Sequence, residues 1–406
     1  MKQNFLIILS FFISIYFVEF FLSIKKIDEI INSDQQNNLY CDISINCDKR
    51  NALQVYQDSI KKNDLILPNF TPVYRFQIKN YSDYKTNKGK KIFPLSKIAN
   101  QKTAMCNENG EWIIYNTDHN GLNNAHKNYK DTDIFILGDS YVEGHCSNPE
   151  NNIAGQLQTK TNYKVVNLGL AGSGPLMILA SAKEYALKFK PKIIVWYHFH
   201  NDIINLQRYE KNSETLMKYL NNEKFNQNLI ERQNEINEVA KKYLNNQIKK
   251  SNSFFTKEFN KMTFIKLWYV RTLIKKFGIN TIGISEKMIQ PNTVDFEIFE
   301  KILVQIKKIT DEKNIELYFV FLPDITALYP NKYQHYEKVD SRYKVIKIAK
   351  KSFGTKTLDL TEILSKKFNE PKDLFTGGLI GNHYTDKGYN VVAEQTIKLI
   401  NNSKKN

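Results

Sequence analysis

The feature that most constrains the fold is a short apolar run, Ile134–Leu137, which ends on Gly138-Asp-Ser140. A short apolar run bounded by a glycine turn is typical of a strand that is buried on both faces of a parallel sheet. A helical pattern follows from Ile153. This order of strand, turn and helix places Ser140 at the carboxyl edge of a sheet, where open α/β sheets bind ligands.

Three further blocks end at polar or glycine residues. The segment 163–172 has the pattern of a second strand followed by a glycine-rich turn at Gly172, where the missing side chain lets a backbone N–H approach a ligand. The segment 191–202 predicts a third strand that ends at Asn201. Far downstream, His383 lies in a loop just before a closing helix. We expect all four blocks to meet at one edge of the sheet.

Ser140, Gly172, Asn201 and His383 occur in the order of the four motif blocks of the SGNH (or GDSL) hydrolase superfamily, which the chain resembles over roughly residues 107–403. The resemblance implies a three-layer α/β/α, flavodoxin-like fold with a parallel sheet, and the activity of a serine esterase. It implies Ser140 as the nucleophile and His383 as its base. The oxyanion hole would consist of the backbone N–H groups of Ser140 and Gly172 and the side-chain amide of Asn201.

The last block departs from the family pattern. The family usually carries an aspartate three residues before the histidine, where this chain has Ile380. Asp373, Asp359, Asp324 or a backbone carbonyl are the alternatives for orienting His383, and a Ser-His dyad is another. The sequence does not choose among them, and Asp373 is our candidate. No spacing of cysteine or histidine residues indicates a metal site, and we expect no metal and no cofactor.

The rest of the α/β pattern lies downstream of a long insertion. Ile315–Pro323 predicts a buried strand and Thr357–Leu360 a last short one. Helical patterns cover Glu297–Thr310, Lys338–Lys351 and Lys387–Ile400. Five parallel strands that alternate with helices predict a three-layer sheet with right-handed crossovers.

The amino-terminal segment 5–24 is almost continuously apolar. At about 1.5 Å per residue, a helix over it would cross the ~30 Å hydrocarbon layer. A cleaved signal peptide is the competing interpretation, but the small residues of a cleavage site are missing. We therefore expect a single-pass anchor in contact with membrane lipid, whose orientation the flanking charges do not decide.

Four cysteines allow three pairings, and they favour an oxidising compartment. Cys41 and Cys47 are close enough to close a small loop, and Cys106 and Cys146 could flank the first strand as a second bridge. The alternative is four unpaired cysteines in a reducing compartment. With the anchor, the pairing predicts an extracytoplasmic, periplasmic domain in a bacterium.

Composition divides the chain into three regions. After the anchor, residues 25–105 are polar and predict a membrane-proximal stalk or accessory segment with a few strands, such as Val73–Ile78. Residues 106–403 form the predicted catalytic domain, and a helical insertion covers about 206–290. Its amphipathic helices lie in two stretches, Leu206–Lys250 and Phe254–Phe277. They either cap the active site, form a basic element at the membrane surface, or pack on the domain with their lysines in solvent.

The formal net charge of +16 comes mainly from lysine, and no nucleic-acid motif accompanies it. We therefore expect no nucleic acid as a partner, and nothing in the sequence indicates a protein partner. The resemblance implies hydrolysis of an acyl ester as the function, with a substrate such as an O-acetyl group on a surface polysaccharide. An O-acetyltransferase would use the same residues. A non-catalytic glycan-binding or assembly protein with the same fold is the rival, and it predicts that His383 turns away from Ser140.

Overall fold

A computed structural model of the chain describes residues 2–24, 47–69, 83–125, 128–252, 265, 267, 270–271, 291–329, 341–376 and 383–404. The predicted strand Val73–Ile78, Cys41 and most of Phe254–Phe277 lie outside these residues.

Strands and helices are numbered separately in chain order. The described strands are β1 (Leu67–Pro68), β2 (Tyr84–Lys85), β3 (Lys91–Ile92), β4 (Lys102–Cys106), β5 (Ile113–Asn116), β6 (Ile134–Leu137), β7 (Val165–Asn167), β8 (Ile193–Phe199), β9 (Glu316–Leu322) and β10 (Thr357–Asp359). The described helices are α1 (Lys2–Ile24), α2 (Ala52–Lys61), α3 (Ser140–Glu143), α4 (Ile153–Lys160), α5 (Pro175–Ser181), α6 (Asp202–Arg208), α7 (Glu214–Asn221), α8 (Gln233–Asn252), α9 (Thr293–Glu312), α10 (Ile325–Leu328), α11 (Arg342–Phe353), α12 (Thr361–Lys367), α13 (Pro371–Leu374) and α14 (Asp386–Ser403).

The central sheet has five parallel strands in the order β10-β9-β8-β6-β7. Counted along the chain from β6, this is the order 2-1-3-4-5 of a flavodoxin-like, doubly wound sheet read from its opposite edge. In the middle of the sheet, Ile136 of β6 lies opposite Val195 of β8, which lies opposite Tyr318 of β9. The predicted three-layer α/β fold and its five strands are confirmed.

Each face of the sheet carries its own hydrophobic core, because successive side chains of a strand point to opposite faces. Trp196 and Tyr197 are neighbours on β8, are both fully buried, and belong to different cores. Helices α5, α7, α9 and α11 cover the face of Trp196, and α4, α12 and α14 cover the face of Tyr197. Burying each such side chain stabilises the fold by about 1.5–3 kcal/mol.

A small second sheet joins the amino-terminal segment to the main domain. Strand β4 pairs with β1 in parallel and with β5 antiparallel. The predicted boundary between residues 105 and 106 falls inside β4. Ile92, Phe93 and Leu95 are buried in the same core as Trp196. The described part of the accessory segment is therefore packed into the domain.

The described part of the insertion is packed on the domain as well. Leu216 and Tyr219 of α7 and Ile236 and Val239 of α8 are buried in the core on the Trp196 face of the sheet. This part of the insertion therefore packs on the domain, which is one of the alternatives that the sequence left open.

Helix α1 covers the segment that the sequence predicts as a membrane span. None of the helices in the described residues has both the length and the apolar character needed to cross a membrane. The predicted disulfide between Cys106 and Cys146 is present, with Cα atoms 5.4 Å apart, and Cys47 is disulfide-bonded as well.

Candidate active site

Ser140 lies at the turn that leads from β6 into α3. Asp139 caps α3, and its carboxylate accepts a hydrogen bond of 3.0 Å from the backbone N–H of Tyr141. A side chain in place of Gly138 would lie 2.4 Å from Val142 Cγ2 and 3.1 Å from the Tyr197 carbonyl, so the turn requires glycine there. The turn therefore fixes Ser140 at the carboxyl edge of the central sheet, as predicted.

His383 meets Ser140 across a sequence separation of 243 residues. Its Nε2 lies 2.9 Å from Ser140 Oγ. The Thr376 N–H donates a 2.7 Å bond to the His383 carbonyl, and the ring of Tyr141 lies 5.0 Å from the imidazole between centroids. The backbone bond and the ring contact both hold the imidazole against the serine hydroxyl.

Glu108 occupies the position of the orienting acid. His383 Nδ1 and Glu108 Oε1 are 2.8 Å apart. The other carboxylate oxygen accepts a 3.2 Å bond from the backbone N–H of His383 and a bond from the Thr376 hydroxyl. With Nδ1–H donating to Glu108, the lone pair of Nε2 faces the Ser140 hydroxyl. Ser140, His383 and Glu108 therefore form a continuous Ser-His-Glu hydrogen-bonded set.

None of the aspartates proposed from the sequence orients His383. Asp373 is exposed, and Asp359 pairs with Arg342 at 2.7 Å. Asp324 caps α10 through a 2.8 Å bond from the Ala327 N–H. The prediction of Asp373 was wrong because the acid comes from a distant segment of the chain and not from the loop that carries the histidine.

The predicted disulfide between Cys106 and Cys146 was a sequence feature that could have identified Glu108. Cys106 was expected to bridge to Cys146, which follows Ser140 by six residues in the sequence. Because the Cα atoms of a disulfide lie close together, this bridge brings residue 108 near the serine. Taken with the missing aspartate, the bridge could have pointed to Glu108.

The shifted pKa values of Glu108 and His383 support this arrangement. Burial raises the pKa of Glu108, but the charge and hydrogen bond of His383 outweigh it and bring the pKa down to about 2. Burial lowers the pKa of His383, but the charge and hydrogen bond of Glu108 outweigh it and raise the pKa above its ordinary value. Glu108 is therefore ionised at neutral pH and favours a protonated His383, which is the form that follows proton transfer from a serine.

Gly172 and Asn201, two of the three predicted oxyanion residues, follow the strands as expected. Gly172 lies in the turn after β7 with φ of +81°, a conformation that favours glycine. Within the described part of the chain, its buried N–H has no hydrogen-bond acceptor. Asn201 follows β8 and precedes α6 as its N-cap residue. The structure thus places both residues at the carboxyl ends of strands that flank β6.

His145 is a second histidine at the site. Its ring lies 4.4 Å from that of His383 between centroids, and burial lowers its pKa to about 4. Glu108, His145 and His383 each offer a ligand atom within 4.8 Å of one another, a donor set that zinc accepts. A metal there would compete with the Glu108–His383 hydrogen bond, because it would use the same atoms.

A cavity of about 360 Å³ lies beside the segments that carry Glu108 and His383. Asn109, Ser147, Asp386 and Lys387 are among the residues that line it. Asp386 accepts a 2.6 Å hydrogen bond from the Ser147 hydroxyl. The lining offers amide, hydroxyl, carboxylate and ammonium groups, and none of Ser140, His383 and Glu108 is part of it.

No family model matches the chain, and no curated protein sequence matches it. The solved structures that are similar to it include the following three. A lipolytic protein of the G-D-S-L family from Desulfitobacterium hafniense is 14% identical, with a TM-score of 0.32 over 66% of this chain and 99% of its own. The acetyl xylan esterase AlAXEase is 14% identical, with a TM-score of 0.36 over 65% and 98%. A two-domain esterase (CEX) active on acetylated mannans is 12% identical, with a TM-score of 0.34 over 68% and 52%. At these scores the likenesses establish no activity for this chain.

Proposed function

We propose that the protein is a serine esterase of the SGNH type that acts on acyl esters through Ser140, His383 and Glu108. The observation that carries the proposal is the unbroken hydrogen-bonded set, with 2.9 Å from Ser140 Oγ to His383 Nε2 and 2.8 Å from His383 Nδ1 to Glu108. A nucleophile, a base and a group that orients the base are the three parts that activation of a serine requires.

We assign each side chain of the set a step in the reaction. Ser140 Oγ attacks the ester carbonyl while His383 Nε2 takes its proton, and Glu108 stabilises the resulting imidazolium. His383 then gives the proton to the leaving alcohol, and an acyl-serine remains. Water attacks this acyl group by the same route, which releases the acid and restores the Ser140 hydroxyl.

The oxyanion is assigned to the predicted donors. The N–H of Gly172 is buried and lacks an acceptor in the described part of the chain, which leaves it available for a ligand oxygen. We assign the N–H of Ser140 and the side-chain amide of Asn201 to the same oxygen. Loss of one such donor typically costs about 10²–10³ in kcat.

The arrangement speaks against the non-catalytic rival. That interpretation predicts His383 turned away from Ser140, whereas the two side chains are within hydrogen-bond distance. An O-acetyltransferase would use the same acyl-serine and differ only in whether water or a sugar hydroxyl accepts the acyl group. We propose the hydrolase, with transfer as the alternative that an assay with added acceptor distinguishes.

We propose an O-acetylated carbohydrate as the substrate. The support is the cavity beside the site, whose lining of amide, hydroxyl, carboxylate and ammonium groups suits a ligand rich in hydroxyls. Acetylated xylan and acetylated mannan are suitable first substrates, beside p-nitrophenyl acetate. Release of acetate from p-nitrophenyl acetate alone would support the esterase but not this substrate class.

We also propose that α1 anchors the protein in a membrane, with the catalytic domain on the extracytoplasmic side. The support is the apolar segment 5–24 together with the disulfide between Cys106 and Cys146, since such bonds persist in oxidising compartments. Retention in the membrane pellet after alkaline carbonate washing, lost when residues 5–24 are removed, is the expected result. Release of the full chain by the wash would contradict the anchor.

The first test of the activity is labelling of the full chain by a fluorophosphonate probe. Labelling should be absent in Ser140→Ala and strongly reduced in His383→Ala. His119→Ala is a matched control, because His119 is a histidine outside the hydrogen-bonded set. A folded wild type that neither reacts with the probe nor cleaves p-nitrophenyl acetate would rule out the esterase.

A further inference from the structure

Glu143 connects the helix of the nucleophile to the turn that carries Gly172. It is the last residue of α3, and its side chain is only 1% exposed. One carboxylate oxygen pairs with Lys97 Nζ, and the other accepts a 2.7 Å hydrogen bond from the backbone N–H of Ala171. Ala171 directly precedes Gly172, so this carboxylate holds the residue next to the proposed oxyanion donor.

Lys97 comes from the accessory segment and is as buried as its partner, with 4% of its side chain exposed. Its ammonium also donates to Asn69 Oδ1 at 2.6 Å and to the Tyr115 hydroxyl at 3.2 Å. Three acceptors therefore surround the charge. A buried ion pair is costly to form and contributes little net stability, so its presence calls for another explanation.

The charge of Lys97 acts on the state of Glu143. Burial raises the pKa of Glu143, but the charge and hydrogen bond of Lys97 outweigh it and hold the pKa below its usual range. The carboxylate is thereby kept ionised, which strengthens the hydrogen bond that it accepts from the backbone.

Two further hydrogen bonds hold the turn around Gly172. The Ser173 N–H donates a 3.0 Å bond to the Leu170 carbonyl, and the Asn205 amide donates a 3.3 Å bond to the Gly172 carbonyl. A Cβ on Gly169 would lie 2.1 Å from the main-chain nitrogen of Glu143, so the turn packs directly on α3. The Gly172 N–H is left without an acceptor in the described residues, although the groups around it are fixed.

We propose that Glu143 is a positioning residue that aims the Gly172 N–H at the oxyanion, and that Lys97 compensates its buried charge. The Glu143 side-chain oxygen fixes Ala171 and with it the orientation of the next peptide group, and Lys97 is needed only while that side chain is charged. This inference rests on the proposed esterase function. It means that the accessory segment, which the sequence predicts as a stalk, contributes to the active site.

The test separates the hydrogen bond from the charge. The double variant Lys97→Met/Glu143→Gln is uncharged but keeps a side-chain oxygen that can accept from Ala171. Lys97→Met/Glu143→Met is uncharged and of similar size but has no such acceptor. With p-nitrophenyl acetate and the full chain, we expect the Gln pair to keep kcat within about threefold of wild type. We expect the Met pair to lose roughly 10- to 100-fold in kcat with KM little changed, as for a displaced oxyanion donor.

Two further variants keep the test decisive. Glu143→Asp retains the charge beside Lys97, but its side chain is one methylene shorter and should not reach the Ala171 N–H. It should lose kcat in the same way as the Met pair, and it replaces that pair in the test if the Met pair does not fold. Lys183→Met is the matched control, because Lys183 is another buried lysine whose ammonium donates to the Tyr219 and Asn222 carbonyls instead. It should change the melting temperature but not kcat.

The outcomes distinguish this inference from the function on which it rests. An inactive, folded wild type would overturn the esterase itself. An active wild type whose Gln and Met pairs fold and have equal kcat would overturn only the positioning role. The same conclusion would follow if Glu143→Asp kept wild-type kcat.

Discussion

Glu108→Gln tests the tautomer of His383 more sharply than removal of the side chain does. In wild type, one carboxylate oxygen faces His383 Nδ1 and the other accepts from the His383 backbone N–H. A backbone N–H cannot become an acceptor, so the amide oxygen of glutamine should take that position. The amide NH₂ then faces Nδ1, which must accept, and the ring proton moves to Nε2. In this tautomer His383 cannot take the proton of Ser140.

The expected losses of kcat differ between Glu108→Gln and Glu108→Ala. Imposing the wrong tautomer in a Ser-His-acid triad costs about 10⁴ in kcat. Truncation to alanine removes a hydrogen bond to a charged group, worth about 1.5–3 kcal/mol, or roughly 10- to 150-fold, and leaves the ring free to choose its tautomer. We therefore expect Glu108→Gln to be less active than Glu108→Ala, although glutamine is closer in shape.

The assay is kcat for p-nitrophenyl acetate together with the rate of fluorophosphonate labelling, with melting curves as a check on folding. Glu150→Gln is the control, because Glu150 is an exposed glutamate outside the hydrogen-bonded set. Glu108→Gln with kcat within tenfold of wild type would refute the role of Glu108. Equal losses in the glutamine and alanine variants would refute the tautomer argument alone.

Three other outcomes follow from the site. Glu108 raises the pKa of His383, so the acid limb of kcat/KM should move to lower pH in Glu108→Ala, where Glu108 no longer offsets the effect of burial on the imidazole; an unchanged limb in the pH–rate profile would contradict this. Replacing Cys106 and Cys146 together by alanine should lower the free energy of unfolding by about 2–5 kcal/mol and reduce kcat as well, since the bridge holds the Glu108 segment; denaturant titration and the esterase assay measure the two effects. Gly169→Ala should unfold or inactivate the protein, because its Cβ would lie 2.1 Å from main-chain nitrogen in α3; a soluble variant with full activity would contradict the packing.

The parts of the site that sequence reasoning predicted are those fixed by local pattern. Ser140, Gly172 and Asn201 each follow a short apolar strand, and parallel strands bring their carboxyl ends to one edge. The strand that precedes each residue therefore determines where it lies. His383 was located in the same way by the helix that follows it.

Glu108 and Lys97 could not be located in this way. Neither follows a strand of the central sheet, and neither stands at a fixed spacing from a motif. Their positions depend on the small sheet around β4 and on contacts with α3, which are long-range features of the fold. The helices of the insertion were likewise predicted as elements, but only the structure shows that α7 and α8 pack on the core.

A chain that starts at residue 106 is a decisive test of where the catalytic unit begins. It keeps Ser140, His383 and Glu108 but loses Lys97 and most of β4, which pairs with β5 and leads into Glu108. Glu143 would then be a buried charge without its partner, a defect that typically costs about 3–5 kcal/mol. We expect this chain to be unstable or at least tenfold less active than one that starts at residue 25, which retains the whole accessory segment and the disulfide partner of Cys47. Equal activity and melting temperature would mean that the accessory segment is dispensable and that the boundary drawn from composition was functionally correct.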